Sequence, residues 1–251
     1  MLSNKQLKYL KSLHLRKFRQ KYGILVAEGV KTVTEIFDHP GSPIEGVYAV
    51  QEWLSENEHL VSKYRDKIFA VTENELAAIS QLKTPNQVLC VLKQPVFSYE
   101  DEDLSSGFSL YLDDIRDPGN MGTILRIADW FGVRWVFCSK NCVEVSNPKV
   151  VQASMGAFLR VKTQTVSLQE LRANYQDLPF LGTSLAGDSI FKIDLPDAGI
   201  IVIGNESVGI SEETEQLLTQ KIKIPRHPEG GAESLNAAVA TGIICSVLQR
   251  F

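Results

Sequence analysis

The 251-residue chain is poor in several features, and each shortage removes a class of function. It has four cysteines, Cys90, Cys138, Cys142 and Cys245, and no CxxC pair. Cys138 and Cys142 have no matching histidine cluster, so neither a metal site nor a disulfide framework is expected, and the thiols should be reduced, as in a cytoplasm. No apolar run reaches the roughly 18 residues of a membrane span, and the first residues lack the apolar core of a secretory leader. A soluble, unprocessed protein is expected. Phosphate-cradling glycine patterns are missing as well. No GxGxxG follows a strand-like run, and no glycine pair continues into the Gly-Lys-Ser/Thr of a P-loop. Kinase, ATPase and dinucleotide-dehydrogenase functions thereby lose their main support.

An overall excess of positive charge is also absent: 26 basic against 30 acidic residues leave a net charge of −4. The chain is therefore not coated for nucleic acid. The average hides an asymmetry, however. Residues 1–27 hold Lys5, Lys8, Lys11, Arg16, Lys17, Arg19 and Lys21 and no acid, whereas residues 28–107 hold 6 basic and 14 acidic side chains. Such a cluster suits an arm or helix touching RNA phosphates. Charge alone is met equally by a solvated amphipathic helix with Leu7, Leu10, Leu13 and Leu15 partly inside.

What the chain does have is a 44% hydrophobic content, enough for a sizeable core, and a length that favours two domains. Residues 23–26 read as a strand, and residues 28–37 place Val30, Val33, Ile36 and Phe37 at helical spacing. Short apolar runs at 46–50, 67–71 and 87–92 alternate with helical patterns at 52–64 and 73–81, which predicts a small α/β domain. Residues 94–109 combine a proline, four consecutive acids and a Ser-Ser-Gly turn, the composition of an exposed connection. A boundary near 105 follows, with domains at 1–105 and 106–251. Beyond it, apolar runs at 109–112, 135–138, 180–183 and 200–203 suit a buried parallel sheet.

Three constellations stand in this second part. In residues 112–133 a strand ends, Asp117-Pro118-Gly119 turns, and Asn120 sits where it could cap a helix. Ile124, Ile127, Ala128 and Phe131 form that helix's expected buried stripe, leaving Arg126 on the other side. Taken alone, Arg126 would merely pair with Asp129 at i+3. In residues 199–211 an apolar strand runs into Gly204-Asn205-Glu206 and a turn at Gly209, and ligands in parallel sheets bind beyond such strand ends. In residues 222–248 a strand meets a loop rich in proline and glycine, then a helix with Ser234 as expected cap and Asn236 in its first turn. That helix has little polar face and should be buried within the fold or between subunits. His227 reads as a surface loop residue.

Together these segments resemble the SpoU/TrmH family of RNA methyltransferases, part of the SPOUT class. The family's N-x-G-x-x-x-R motif is matched by Asn120, Gly122 and Arg126, its second by Gly204, Asn205, Glu206 and Gly209. Its third is matched by Ile224-Pro225 and by Glu233-Ser234-Leu235-Asn236. Residues 147–149 (NPK) and 153–157 (ASMGA) also look like the family, and the resemblance spans about residues 108–251. The loop at 226–232 is about two residues longer than the common form. The first part is similar, less specifically, to the small α/β substrate-binding domain of many members, which turns the basic cluster toward RNA, with Lys5, Lys8, Lys11, Arg16, Lys17 and Arg19 as contacts.

The resemblance implies an α/β fold whose C-terminal parallel sheet is tied in a trefoil knot. It implies S-adenosylmethionine as cofactor, held by Thr183, Ser184, Leu185, Gly204, Ile224 and Leu235, and methyl transfer to a ribose 2′-hydroxyl. Since that cofactor carries a sulfonium and no phosphate, the missing phosphate cradle fits. Arg126 is implied to act on the hydroxyl, with Asn120, Glu206, Ser234 and Asn236 orienting groups around it. A guanidinium holds its proton too firmly for an easy base, so binding a phosphate or stabilising the developing alkoxide is the other role open to it. Ribosomal RNA is the first expected substrate and transfer RNA the second, and a homodimer formed through the C-terminal helix is expected. Two rivals are a catalytically idle RNA-binding protein of the same fold and a small-molecule α/β enzyme using another nucleotide.

Overall fold

The computed structural model describes residues 1–99 and 104–249; the acidic run at 100–103, expected in the domain connection, lies outside them. By contact the chain separates into two compact units, Met1–Val96 with Val145–Leu159, and Phe97–Glu144 with Arg160–Phe251.

The basic start of the first unit is two short helices. α1 (Asn4–Ser12) is entered through a capping box between Ser3 and Gln6. α2 (Arg16–Tyr22) stops at Gly23, whose φ of 62° is the left-handed conformation that glycine adopts without strain. Leu10 and Leu13 are buried, Leu7 is half-buried and Leu15 is exposed. β1 (Ile24–Glu28), α3 (Val30–Asp38) and β2 (Ile44–Ala49) follow. In α3 Val33, Ile36 and Phe37 face inward as expected, but Val30 is exposed and Thr32 is buried in its stead. The helical pattern at 52–64 breaks into α4 (Gln51–Glu56), α5 (Glu58–Val61) and a 3-10 turn at Ser62–Lys67. Asn57 causes the first break, since its Nδ2 donates to the Trp53 carbonyl at 2.8 Å and competes with the helical ladder.

β3 (Ile68–Ala70), α6 (Glu73–Ile79) and β4 (Val88–Lys93) complete a mixed sheet of order β1-β4-β2-β3, in which only β2 and β3 run parallel. Its core joins Leu10 and Leu13 to Ile24, Val26, Leu76 and Leu89. Glu28 is buried at the carboxyl end of β1. Its Oε2 accepts from Ser80 Oγ and its Oε1 from the Gln81 amide at 2.9 Å, so both oxygens are consumed in tying β1 to the end of α6.

The second unit is built on β5 (Phe108–Leu112), α7 (Pro118–Trp130) and β6 (Trp135–Cys138). α8 (Pro148–Ser154), next in sequence, packs against β1 and belongs to the first unit. The chain then adds β7 (Lys162–Thr165), α9 (Leu168–Asn174), β8 (Phe180–Ser189) and β9 (Gly199–Ile203). It closes with α10 (Glu212–Glu215), β10 (Gln220–Lys223) and α11 (Ala237–Leu248). Six strands, all parallel, stand in the order β10-β8-β9-β5-β6-β7. β7, of sequence KTQT, has no apolar run and escapes sequence reading. It is an edge strand, half exposed, where burial makes no demand on composition. From β5 the chain builds β6 and β7 to one side and β8, β9 and β10 to the other, so the order reverses between β5 and β9. Parallel sheets place their ligand sites beyond the strand ends at such a reversal.

Candidate active site at the strand-order reversal

Both strands at the reversal run straight into loops that are stitched together. The Asp113 amide donates to the Ile203 carbonyl at 2.8 Å, extending the β5–β9 pairing by one residue. The buried Asp113 carboxylate accepts from the Ser211 amide at 2.8 Å, and Asn205 Nδ2 donates to the Asp114 carbonyl at 2.9 Å. Asn205 also closes the following turn: its Oδ1 accepts from the Ser207 amide at 2.9 Å, and its backbone pairs with Gly209. At Gly204 a Cβ would lie 2.5 Å from the Gly209 carbonyl carbon, so only glycine lets the turn fold back there. Asp114 adopts φ 61° and holds Arg116 through two 2.8 Å bonds, which raise the guanidinium above its ordinary pKa.

Asp117, not Asn120, caps α7: its side chain accepts from the Asn120 amide at 2.8 Å, with Pro118 at the first helical position. Asn120 is thereby the third residue of the helix and its carboxamide is free for longer reach. Its Nδ2 donates to Glu206 Oε1, and its Oδ1 accepts from Asn236 Nδ2 at 2.8 Å. Nor does Ser234 cap the last helix. Asn236 does, its Oδ1 accepting from the Ala238 and Val239 amides at 3.0 and 3.2 Å, and α11 starts at Ala237. A side-chain carboxamide wins here because it takes two helix amides and still has an NH2 to give.

The result is one directed chain of donors running from the α11 N-terminus through Asn236 and Asn120 to Glu206. Each carboxamide is fixed in orientation because its oxygen is already claimed by a donor, so at the end of the chain Glu206 Oε1 accepts from Asn120. Glu206 Oε2 has no partner among the described residues. Ser234 and Leu235 lie exposed just ahead of the cap.

Arg126 stands on the exposed face of α7 and has no ion-pair partner among the described residues. The pairing expected with Asp129 does not form because Arg160, at the start of the chain segment leading to β7, grips Asp129 at 2.8 to 3.0 Å. The buried face of α7 is Met121, Gly122, Ile124, Leu125 and Ala128. Ile127 and Phe131 are only half-buried, so the stripe is rotated from the one expected, and Ile127 lies against Gly242 of α11. α11 itself is not wholly covered in a single chain: Val239 is 52% exposed, and Trp130 on the packed α7 is 84% exposed.

The residues named for cofactor binding share the carboxyl edge of the sheet. Consecutive residues Lys221 and Ile222 of β10 pair with Gly182 and Asp188 of β8, so 183–187 bow out of the ladder and carry Thr183, Ser184 and an exposed Leu185. Gly204 follows the last residue of β9, and Ile224, half-buried, the last of β10. The long loop at 226–232 closes on itself, with Arg226 Nη1 donating to the Ala232 carbonyl at 3.1 Å and the Gly230 amide to the His227 carbonyl at 2.9 Å. His227 is exposed, as expected. Among the described residues no group of histidine, cysteine, aspartate and glutamate could hold a metal. All four cysteines are buried and unpaired, and among the described residues no helix is long and apolar enough to cross a membrane.

In the first unit Lys5, Lys8, Lys11, Arg16 and Lys17 are exposed. Arg19 is not available as an RNA contact. It is 3% exposed, and its guanidinium donates to the Leu13 and His14 carbonyls at 3.0 Å, closing the end of α1. The sequence could not separate it from its neighbours, because only the turn between α1 and α2 decides which basic residue points back.

The family model of the SpoU rRNA Methylase family matches residues 107–246, and that of the MRM3-like substrate binding domain matches residues 4–90. Among solved structures, a Porphyromonas gingivalis protein described as an RNA methyltransferase of the TrmH family is 35% identical. Its TM-score is 0.87, over 99% of this chain and 98% of that one. An AdoMet-bound rRNA methyltransferase from Sinorhizobium meliloti is 25% identical, with a TM-score of 0.87 over 99% of this chain and 95% of its own. The 23S rRNA (guanosine(2553)-2'-O)-methyltransferase RlmP of Bacillus subtilis is 26% identical over 96% of this chain and 94% of its own length.

Proposed function

The chain belongs to the SpoU rRNA methylase family, and from that premise we propose that it transfers a methyl group from S-adenosylmethionine to a ribose 2′-hydroxyl of ribosomal RNA. The observation that carries this reading is the donor chain Asn236 to Asn120 to Glu206, which joins three motifs at the one place where a parallel sheet of this order binds ligands. The ribosomal relatives favour ribosomal over transfer RNA. An idle RNA-binding protein would have no use for a fully oriented polar chain, and a phosphate-bearing nucleotide would find no cradle.

The edge of the sheet fits the cofactor by its chemistry. Leu185 and Leu235 are large apolar side chains left open to solvent, a surface that an adenine can cover, and Gly204 brings bare backbone to the strand end. Thr183, Ser184 and Ile224 would complete the hold. When bound, S-adenosylmethionine supplies a methyl group made electrophilic by its sulfonium. The task left to the protein is to place a very weakly acidic hydroxyl in line and to stabilise the charge that develops on it. Arg126, uncommitted and exposed, is the group we assign to that oxygen or to its neighbouring phosphate. Asn120 and Asn236 hold Glu206 so that its second oxygen can orient the ribose, with Ser234 nearby in sequence.

We extend the proposal in three respects. The C-terminal segment is threaded as the family's trefoil knot; in support, a Cβ on Gly187 would lie 2.6 Å from the Ile222 amide nitrogen, so the bowed segment returns to β10 in backbone contact. The active form is a homodimer covering Trp130 and Val239, to be checked by light scattering at micromolar concentration. The setting is cytoplasmic, in keeping with four unpaired thiols. Radiolabelled transfer from S-adenosylmethionine to unmodified ribosomal RNA, followed by mapping of the methylated ribose, tests the whole reading. Methyl on a base, or no transfer by a protein that binds the cofactor, would overturn it.

A further inference from the structure

Away from the strand ends, the first unit carries a second concentration of chemistry on α1 and α2. Phe18 and Tyr22, one turn apart on α2, are stacked with ring centroids 6.2 Å apart and planes 16° from parallel. Tyr9 of α1 meets Tyr22 edge-on at 5.4 Å. Aromatic contacts of this kind ordinarily belong to a core, yet here Tyr22 is 39% exposed and Phe18 only half-buried. The Lys17 ammonium lies 5.1 Å from the Phe18 centroid and the Lys21 ammonium 5.7 Å from that of Tyr22. Arg16 is exposed beside them; residues 1–27 contain no acid, and Glu45 of β2 is the carboxylate whose charge reaches Tyr9.

Ring faces ringed by mobile cations match one class of ligand, a single-stranded nucleic acid, whose bases stack while its phosphates take the cations. A duplex keeps its base faces to itself, and a protein surface would need a complementary acidic apolar patch. We propose that Phe18 and Tyr22, flanked by Arg16, Lys17 and Lys21, form a stacking platform for unpaired bases of the RNA substrate. This rests on the RNA-methyltransferase reading above and adds that the first unit selects unpaired strand. On binding, phosphates draw Lys17 and Lys21 off the rings and bases take their place.

The test uses the full chain, a short unstructured oligoribonucleotide and a fully paired RNA duplex of the same length, titrated at several salt concentrations. Tyr22→Leu should weaken single-strand binding about tenfold and leave the dependence of affinity on salt unchanged, because stacking is lost and no phosphate contact is. Tyr22→Phe should bind as the parent does, and Phe18→Leu should repeat the loss if Tyr22→Leu disturbs α2. Replacing Lys17 and Lys21 by alanine should lower the salt slope by roughly 0.7 per lysine. If Tyr22→Leu and Phe18→Leu bind single strand as tightly as the parent, the platform is wrong while methylation of ribosomal RNA stands. If they change only the oligomeric state, the patch is a protein interface and the proposal falls. If the parent protein methylates no RNA, the underlying reading fails first.

Discussion

Two glutamates stand at or beyond the end of a strand in this protein, and two arginines lie on helices, yet in each pair one member is held inside the fold and the other is open to a ligand. Glu28 ends β1 with both oxygens consumed by Ser80 and Gln81, whereas Glu206 lies beyond β9 with one oxygen held by Asn120 and the other without a partner among the described residues. Arg19 is buried against two carbonyls, whereas Arg126 is exposed because Arg160 has taken its natural partner. Residue type is the same within each pair, and the surroundings differ. Burial together with hydrogen bonding inside the fold divides structure from candidate site, since a polar group enclosed and held by its own chain is out of a ligand's reach.

Four single alanine substitutions, two of them with a companion variant, probe this division. The largest effect is expected for Arg126→Ala, which should lower methyl transfer at least 100-fold, on the order of 3 kcal/mol. Its thermal melt should stay within about 0.5 kcal/mol of the parent, as for a surface substitution. Retained activity would remove Arg126 from the chemistry. Glu28→Ala should do the reverse: the Ser80 hydroxyl and the Gln81 amide are left without their acceptor at a cost of about 1–3 kcal/mol in denaturant unfolding, while transfer by the folded enzyme is unchanged. A loss of activity without loss of stability would make Glu28 a site residue.

Asn236→Ala combines the two kinds of effect. It removes the α11 cap, worth about 1 kcal/mol, and also frees Asn120, so activity should fall further than stability. Asn236→Asp keeps the cap but cannot donate to Asn120, and it should restore the melt without restoring the rate. Equal recovery of both would confine Asn236 to capping. The smallest effect is expected for Arg160→Ala. Asp129 would then be free to take Arg126 in an exposed helical pair worth about 0.5 kcal/mol, lowering transfer some twofold. Replacing Asp129 by alanine in the same chain should return the rate to that of the parent. No rescue would mean that Arg160 acts by another route.

Much of the candidate site was legible one residue at a time. Asn120, Arg126, Glu206 and Asn236 stand in motifs whose spacing carried their identity, and the apolar run of β9 announced a buried parallel strand. The capping assignments were misread because two residues near each helix entry, Asp117 and Asn120 in one case, Ser234 and Asn236 in the other, can both cap. Pro118 was the available clue for Asp117, since proline favours the first helical position. No clue marked Arg160, which reaches Asp129 across 31 positions.

The sequence by itself determined the family, the order of the motifs and the alternation of strand and helix, because these depend on local spacing and composition. Tertiary structure alone decided which polar groups are used up. Asn120 meets Glu206 across 86 positions and Asn236 across 116, and residues 145–159 leave their neighbours in sequence to pack on β1. Hydrogen bonds between side chains so far apart exist only once the parallel sheet has brought its strand ends to one edge, and no periodicity within a segment encodes them.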